Sequence, residues 1–117
     1  MTQLGLPDLP DVNAVEVRIR GRWGKTVKIE GPVAQLIADL WRSLPPGEQK
    51  RCHMPVYELQ FLNGAKLVCS ATVCWKCNNI YGTMGAQSIA FEFDGMADIS
   101  QKLLSEIRSV YPGPSEV

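Results

Sequence analysis

Three of the four cysteines in this 117-residue chain, and its only histidine, fall in two short clusters. Cys52 and His53 are adjacent and are followed by Pro55, and Cys74-Trp75-Lys76-Cys77-Asn78-Asn79 forms the second cluster. Thiolates and a neutral imidazole are ligands of structural zinc, and a Cys-x-x-Cys turn aims two sulfurs at one tetrahedral ion. Cys52, His53, Cys74 and Cys77 are therefore the candidate metal set. Against it, neighbours on a strand point to opposite faces, so Cys52 and His53 chelate together only in an irregular segment. The Cys-x-x-Cys pair also suggests thiol–disulfide chemistry. That chemistry favours a first thiol at a helix N-terminus, where the dipole stabilises the thiolate. Here a strand pattern enters the pair, and Asn and Gly follow it. In a third reading the thiols, Trp75 and His53 pack together and lock the Asn-rich loop to the sheet, because reduced cysteines are among the most buried side chains.

No catalytic set accompanies these clusters by motif. There is no glycine-rich phosphate loop, no serine in a nucleophile-elbow context, and no carboxylate placed to orient the histidine. The expectation is a protein that is not an enzyme.

Hydrophobic periodicity gives the elements that must position the clusters. Val15, Val17 and Ile19 alternate with Glu16, Arg18 and Arg20, and Val27 and Ile29 alternate with Lys28 and Glu30. These are two half-buried strands joined through Gly21-Arg22-Trp23-Gly24. Gly31-Pro32 opens a helix with apolar stripe Val33, Leu36, Ile37, Leu40, Trp41 and Leu44, which Pro45-Pro46-Gly47 ends. Tyr57, Leu59 and Phe61 mark a third strand, and Leu67, Cys69, Ala71 and Val73 a fourth. Residues 76–86, rich in Asn and Gly, read as a loop. Ile89, Phe91 and Phe93 mark a fifth strand. Ile99, Leu103, Leu104, Ile107 and Val110 mark a final helix stopped by Pro112. The sum is one α+β domain: a five-stranded antiparallel sheet with two helices on one face, in the order ββαβββα. An extended lead-in (1–11) precedes it and a frayed tail (112–117) follows.

Register then bears on the thiols. A three-residue turn over Leu62, Asn63 and Gly64 makes the apolar faces agree, with Phe61 opposite Ala65, Leu59 opposite Leu67 and Tyr57 opposite Cys69. Extended outward, that pairing sets Cys52 opposite Cys74 on the helix-free face and sends Cys69 into the core.

Composition narrows the role. Twelve basic and twelve acidic residues balance, which gives no global support to nucleic-acid binding. No apolar run approaches the roughly 20 residues of a membrane span. Residues 1–11 have neither a basic start nor an apolar stretch, so no signal peptide is expected, the location is expected to be cytoplasmic, and the thiols are expected to be reduced. Arg18, Arg20 and Arg22 share the outward face of the first strand, with Lys25 and Lys28 nearby. The patch suits an acidic partner surface or is a solvated face paired with Glu16 and Glu30. Trp23, at the hairpin tip, is either folded onto the core or presented as an interface anchor.

The stretch over residues 51–93 resembles a group of small bacterial proteins of unassigned activity. They share a Cys-His-x-Pro segment, here Cys52, His53 and Pro55, and a Cys-Trp-x-Cys-Asn-Asn run, here residues 74–79. In size and make-up the chain also looks like the immunity proteins of contact-dependent and other interbacterial toxin systems. That likeness is one of type and assigns no residue a role. It implies a protein-binding module that covers a cognate toxin, without a cofactor; the residues themselves offer Arg18, Arg20, Arg22, Trp23, Lys25 and Lys28 as the candidate contact surface. The competing expectations are a zinc-stabilised adaptor or nucleic-acid accessory domain and, behind it, a thiol enzyme.

Overall fold

The computed structural model describes residues 8–21 and 25–114. The elements run β1 (Ala14–Ile19), β2 (Thr26–Glu30), α1 (Pro32–Arg42), β3 (Tyr57–Asn63), β4 (Lys66–Cys74), β5 (Asn79–Met84), β6 (Gln87–Glu92) and α2 (Asp98–Val110). The strands form one antiparallel sheet in the order β2-β1-β3-β4-β5-β6. The α+β class with an open antiparallel sheet and two helices is as expected, but the sheet has six strands and the chain order is ββαββββα.

The additional strand, β5, lies within the segment read as a loop. Its glycine is the reason for both the misreading and the strand. A Cβ at Gly82 would collide with the Ser70 carbonyl oxygen and the Ala71 backbone of β4, so glycine here permits close strand approach and does not mark a turn. The turns lie on either side of the two hairpins' strands, and they match. Gly64-Ala65 links Asn63 to Lys66, and Gly85-Ala86 links Met84 to Gln87. Both glycines adopt left-handed φ, 63° and 60°, as a first central residue of a two-residue hairpin turn requires.

The β3–β4 register also differs from expectation. The turn is the two-residue Gly64-Ala65 loop, and the pairing shifts between Phe61 and Leu62, leaving Val68 as the extra residue. Beyond this bulge Phe61 faces Cys69, Leu59 faces Ala71 and Tyr57 faces Val73. Each partner lies four residues further along β4 than expected. An even displacement keeps every side chain on its face, so Cys69 is buried in the core as foreseen.

Val15, Val17, Tyr57, Leu59, Phe61, Cys69, Ala71, Val73 and Ile80 make the core face. Both helices meet it on the same side of β3. Trp41 of α1 lies against Phe61, with ring centroids 5.0 Å apart, while the Tyr57 hydroxyl donates to the Tyr111 carbonyl at the end of α2 at 2.7 Å. Residues i and i+4 of a strand share a face. Pro32 starts α1 after Gly31 at φ 73°, and Ala34, Ile37, Ala38, Leu40 and Trp41 are its buried residues. Of the lead-in, residues 1–7 lie outside the described residues and the rest is tied down: Arg42 donates to the Leu9 and Pro10 carbonyls at 3.0 and 2.9 Å, and Gln35 to that of Val12 at 2.7 Å.

The α1–β3 connection positions the candidate site. Pro46 bridges to Phe93 past the end of β6, and the Asp94 N–H donates to the Pro45 carbonyl. The chain then crosses the ends of β5 and β4 on the helix-free face and enters β3, three strands inward. Residues 50–56 of this crossing form a strap.

Candidate functional site

The Cys-Trp-x-Cys-Asn-Asn run is the corner where β4 turns into β5, and most of its residues have a visible structural task. Trp75 points into the core, with its ring edge-on to Tyr57 and Phe93 at 6.4 and 6.0 Å. Its Nε1–H donates to the Ser100 carbonyl in α2 at 2.9 Å. Asn78 takes the left-handed turn position, φ 55°, which Asn tolerates better than branched or bulky residues. Its side-chain oxygen accepts the Gly95 N–H at 3.2 Å. Asn79, wholly buried, reaches outward to the strap.

Cys52 and Cys77 are joined in a disulfide with Cα atoms 5.5 Å apart. This corrects two expectations. These thiols are not reduced, and Cys52 pairs with Cys77 instead of lying opposite Cys74. The register accounts for the second difference. Moving the pairing four residues along β4 carries the position opposite Cys52 from Cys74 to the neighbourhood of Cys77. Cys74 and Cys69 are the free thiols. Cys74 is buried beneath the strap, accepting the Cys77 N–H at 3.2 Å and lying 3.5 Å from the Met54 carbonyl. Burial pushes the Cys69 thiol up to about 11.

His53 sits on the outer face of β4 and β5. Its Nδ1 lies 2.6 Å from Asn79 Oδ1 and its Nε2 2.8 Å from Thr72 Oγ1. The ring stands edge-on to Tyr81 at 4.4 Å. The hydrogen-bond directions can be worked out. Asn79 Nδ2 donates to the Cys52 carbonyl, so the oxygen of that amide faces His53 and Nδ1 must carry a proton. The neutral ring therefore accepts the Thr72 hydroxyl proton at Nε2. The Thr72 oxygen also lies 3.2 Å from the Tyr81 carbonyl, and one hydroxyl proton serves one acceptor. A protonated ring would donate from Nε2 and release the Thr72 proton to Tyr81.

The four candidate ligands are thus brought together, but they do not converge on a point. Two sulfurs are bonded to each other, and both imidazole nitrogens are taken by hydrogen bonds. Among the described residues no three His, Cys, Asp or Glu side chains form a group that could hold a metal. The set as arranged does not fit zinc. Sequence reasoning missed Thr72, Asn79 and Tyr81 as partners of His53, because Asn79 and Tyr81 lie in the strand read as loop and Thr72, on a strand read as one, meets His53 only where the strap crosses it. The repeated Gly-Ala turn was the available signal.

The basic patch is a separate place. Lys28 stands opposite Glu16, and Arg18 opposite Glu58 on one side and Thr26 on the other. Arg18, Arg20 and Lys28 are exposed. Lys25 leaves the group, its ammonium 5.5 Å from the centroid of the Tyr111 ring. Arg22 and Trp23 lie outside the described residues. No described helix is long and apolar enough to cross a membrane. Compared with protein-family models, curated proteins and solved structures, the chain matches none.

Proposed function

We propose that the chain is a non-enzymatic protein-binding module working through the helix-free face of its sheet, in the concrete form of an immunity protein that covers a cognate toxin. The observation that carries this is the charge mosaic on that face. Glu16, Arg18, Lys28 and Glu58 alternate in sign across β2, β1 and β3. Side chains on paired strands are held in fixed relative positions, which lets charge complementarity select one partner. Alternating signs suit a structured protein surface better than a polyanion, so nucleic acid is not the partner in this reading. Exposed Met54 on the strap and Tyr81 beside it add the adaptable apolar and aromatic contacts typical of interface centres.

The test is co-expression with the toxin that this reading places beside the gene, together with calorimetric titration of the purified pair. Wild type should protect cells and bind. Arg18→Glu combined with Arg20→Glu should weaken binding at least about tenfold, on the order of 1.4 kcal/mol, and reduce protection. Unchanged binding would remove this face from the proposal, and protection without a complex would remove the mechanism.

A further inference from the structure

Three cysteines are neighbours where the strap joins the sheet. Cys52 and Cys77 share the disulfide, and the free Cys74 lies three residues before Cys77 in the same turn. The Cys77 backbone N–H is aimed at Cys74 Sγ at 3.2 Å. That contact holds Cys74 Sγ against the Cys77 backbone, while the Cys74 S–H donates to the Met54 carbonyl of the strap at 3.5 Å. Burial is asymmetric: Cys74 and Cys77 are wholly buried, whereas Cys52 is exposed. A sulfur displaced from Cys77 would therefore leave towards solvent. Cys69 is on the opposite, core face of β4, held protonated by burial, and stays outside the group.

We propose that Cys52, Cys74 and Cys77 form a thiol–disulfide exchange centre that presents Cys52 as a modification site for small disulfides of the glutathione class. In the first step the Cys74 thiolate attacks Cys77 Sγ. The Cys74–Cys77 bond forms, the Cys52–Cys77 bond breaks, and Cys52 leaves with the electron pair and takes up the proton that Cys74 gave up. Nothing is oxidised or reduced overall, so no outside reagent is consumed. In the second step the Cys52 thiolate attacks one sulfur of the small disulfide. A mixed disulfide forms, and the other half leaves as a thiol with the proton from Cys52. The strap then keeps its Asn79 and His53 hydrogen bonds and the bond from the Arg20 N–H to the Val56 carbonyl but loses its covalent tie, so its grip on the helix-free face answers to the surrounding thiols. This chemistry is independent of the binding role.

The test uses the native full chain with oxidised glutathione, acid quenching, alkylation of free thiols in urea, and trypsin. Lys66 and Lys76 separate the cysteines into peptides 52–66, 67–76 and 77–102. At the start, 52–66 is linked to 77–102. With time this link should give way to one between 67–76 and 77–102, with glutathione on 52–66. Fragmentation should place the new link at Cys74, and Cys69→Ser should behave as wild type. Cys74→Ser should keep the original link and gain no adduct. An unchanged link in folded wild type, or glutathione on 52–66 without the 74–77 link, would overturn the proposal. If Cys74→Ser does not fold, Cys52→Ser replaces it: oxidised glutathione should close its 74–77 link, and failure to do so counts equally against the centre.

Discussion

Opening the Cys52–Cys77 disulfide should remove a large share of the stability of this domain. The bridge spans a sequence separation of 25 residues. Loop-closure entropy for that length is about 12 cal/mol/K, or about 3.5 kcal/mol at 25 °C. A domain of this size has a total stability of roughly 5–15 kcal/mol, so the bridge accounts for a quarter or more of it. The assay is urea unfolding of the wild type with and without a phosphine reductant. The reduced chain should unfold with a midpoint lower by on the order of 1–2 M and a slightly steeper dependence on urea, because its unfolded state is unconstrained. Cys52→Ser provides the control. Its side chain is exposed, so the substitution itself should cost within about 0.5 kcal/mol. In reductant its curve should overlay that of reduced wild type. A wild type that responds to reductant by less than about 0.5 kcal/mol, within the scatter of a surface change, would refute the reasoning. So would a free Cys52 thiol in protein that has seen no reductant and is acid-quenched and unfolded before alkylation.

Three further outcomes follow from the corner at residues 74–79. Trp75→Phe keeps an aromatic ring between Tyr57 and Phe93 but leaves the Ser100 carbonyl without its indole donor, and should cost about 1–3 kcal/mol in the same unfolding assay. Asn78→Ala should be more destabilising than Asn78→Gly by about 1 kcal/mol, because both lose the Gly95 hydrogen bond while only alanine is strained at φ 55°. A result with the order reversed would remove the left-handed turn from the account. Stability should also fall as pH rises from about 9 towards 11, since the unfolded chain releases the Cys69 proton near 9 while burial holds it in the folded state to about 11. Cys69→Ala should flatten that part of the stability–pH curve.

The two helices, the outer strands and the core faces were legible in the sequence because each depends on local periodicity. Val15, Val17 and Ile19 must share a face in any strand, and Ile37 and Trp41 must share one in any helix. Cys69 followed the same logic, and its burial survived a wrong register because the error was an even number of residues. The resting place of Cys52 was not legible. It depends on the bulge at Val68, on a strand hidden behind Gly82, and on a connection that passes over the helix-free face before it reaches β3. These are long-range choices that no alternation of side chains encodes, and they are settled by which backbones can approach one another. The sequence by itself determined that two Cys clusters flank one hairpin, with their Asn residues ready for turns. Only the tertiary structure decided that Cys77 meets Cys52, that Cys74 is left as the third sulfur, and that His53 is bound by Asn79 and Thr72, because those contacts exist only once the strap has crossed the sheet.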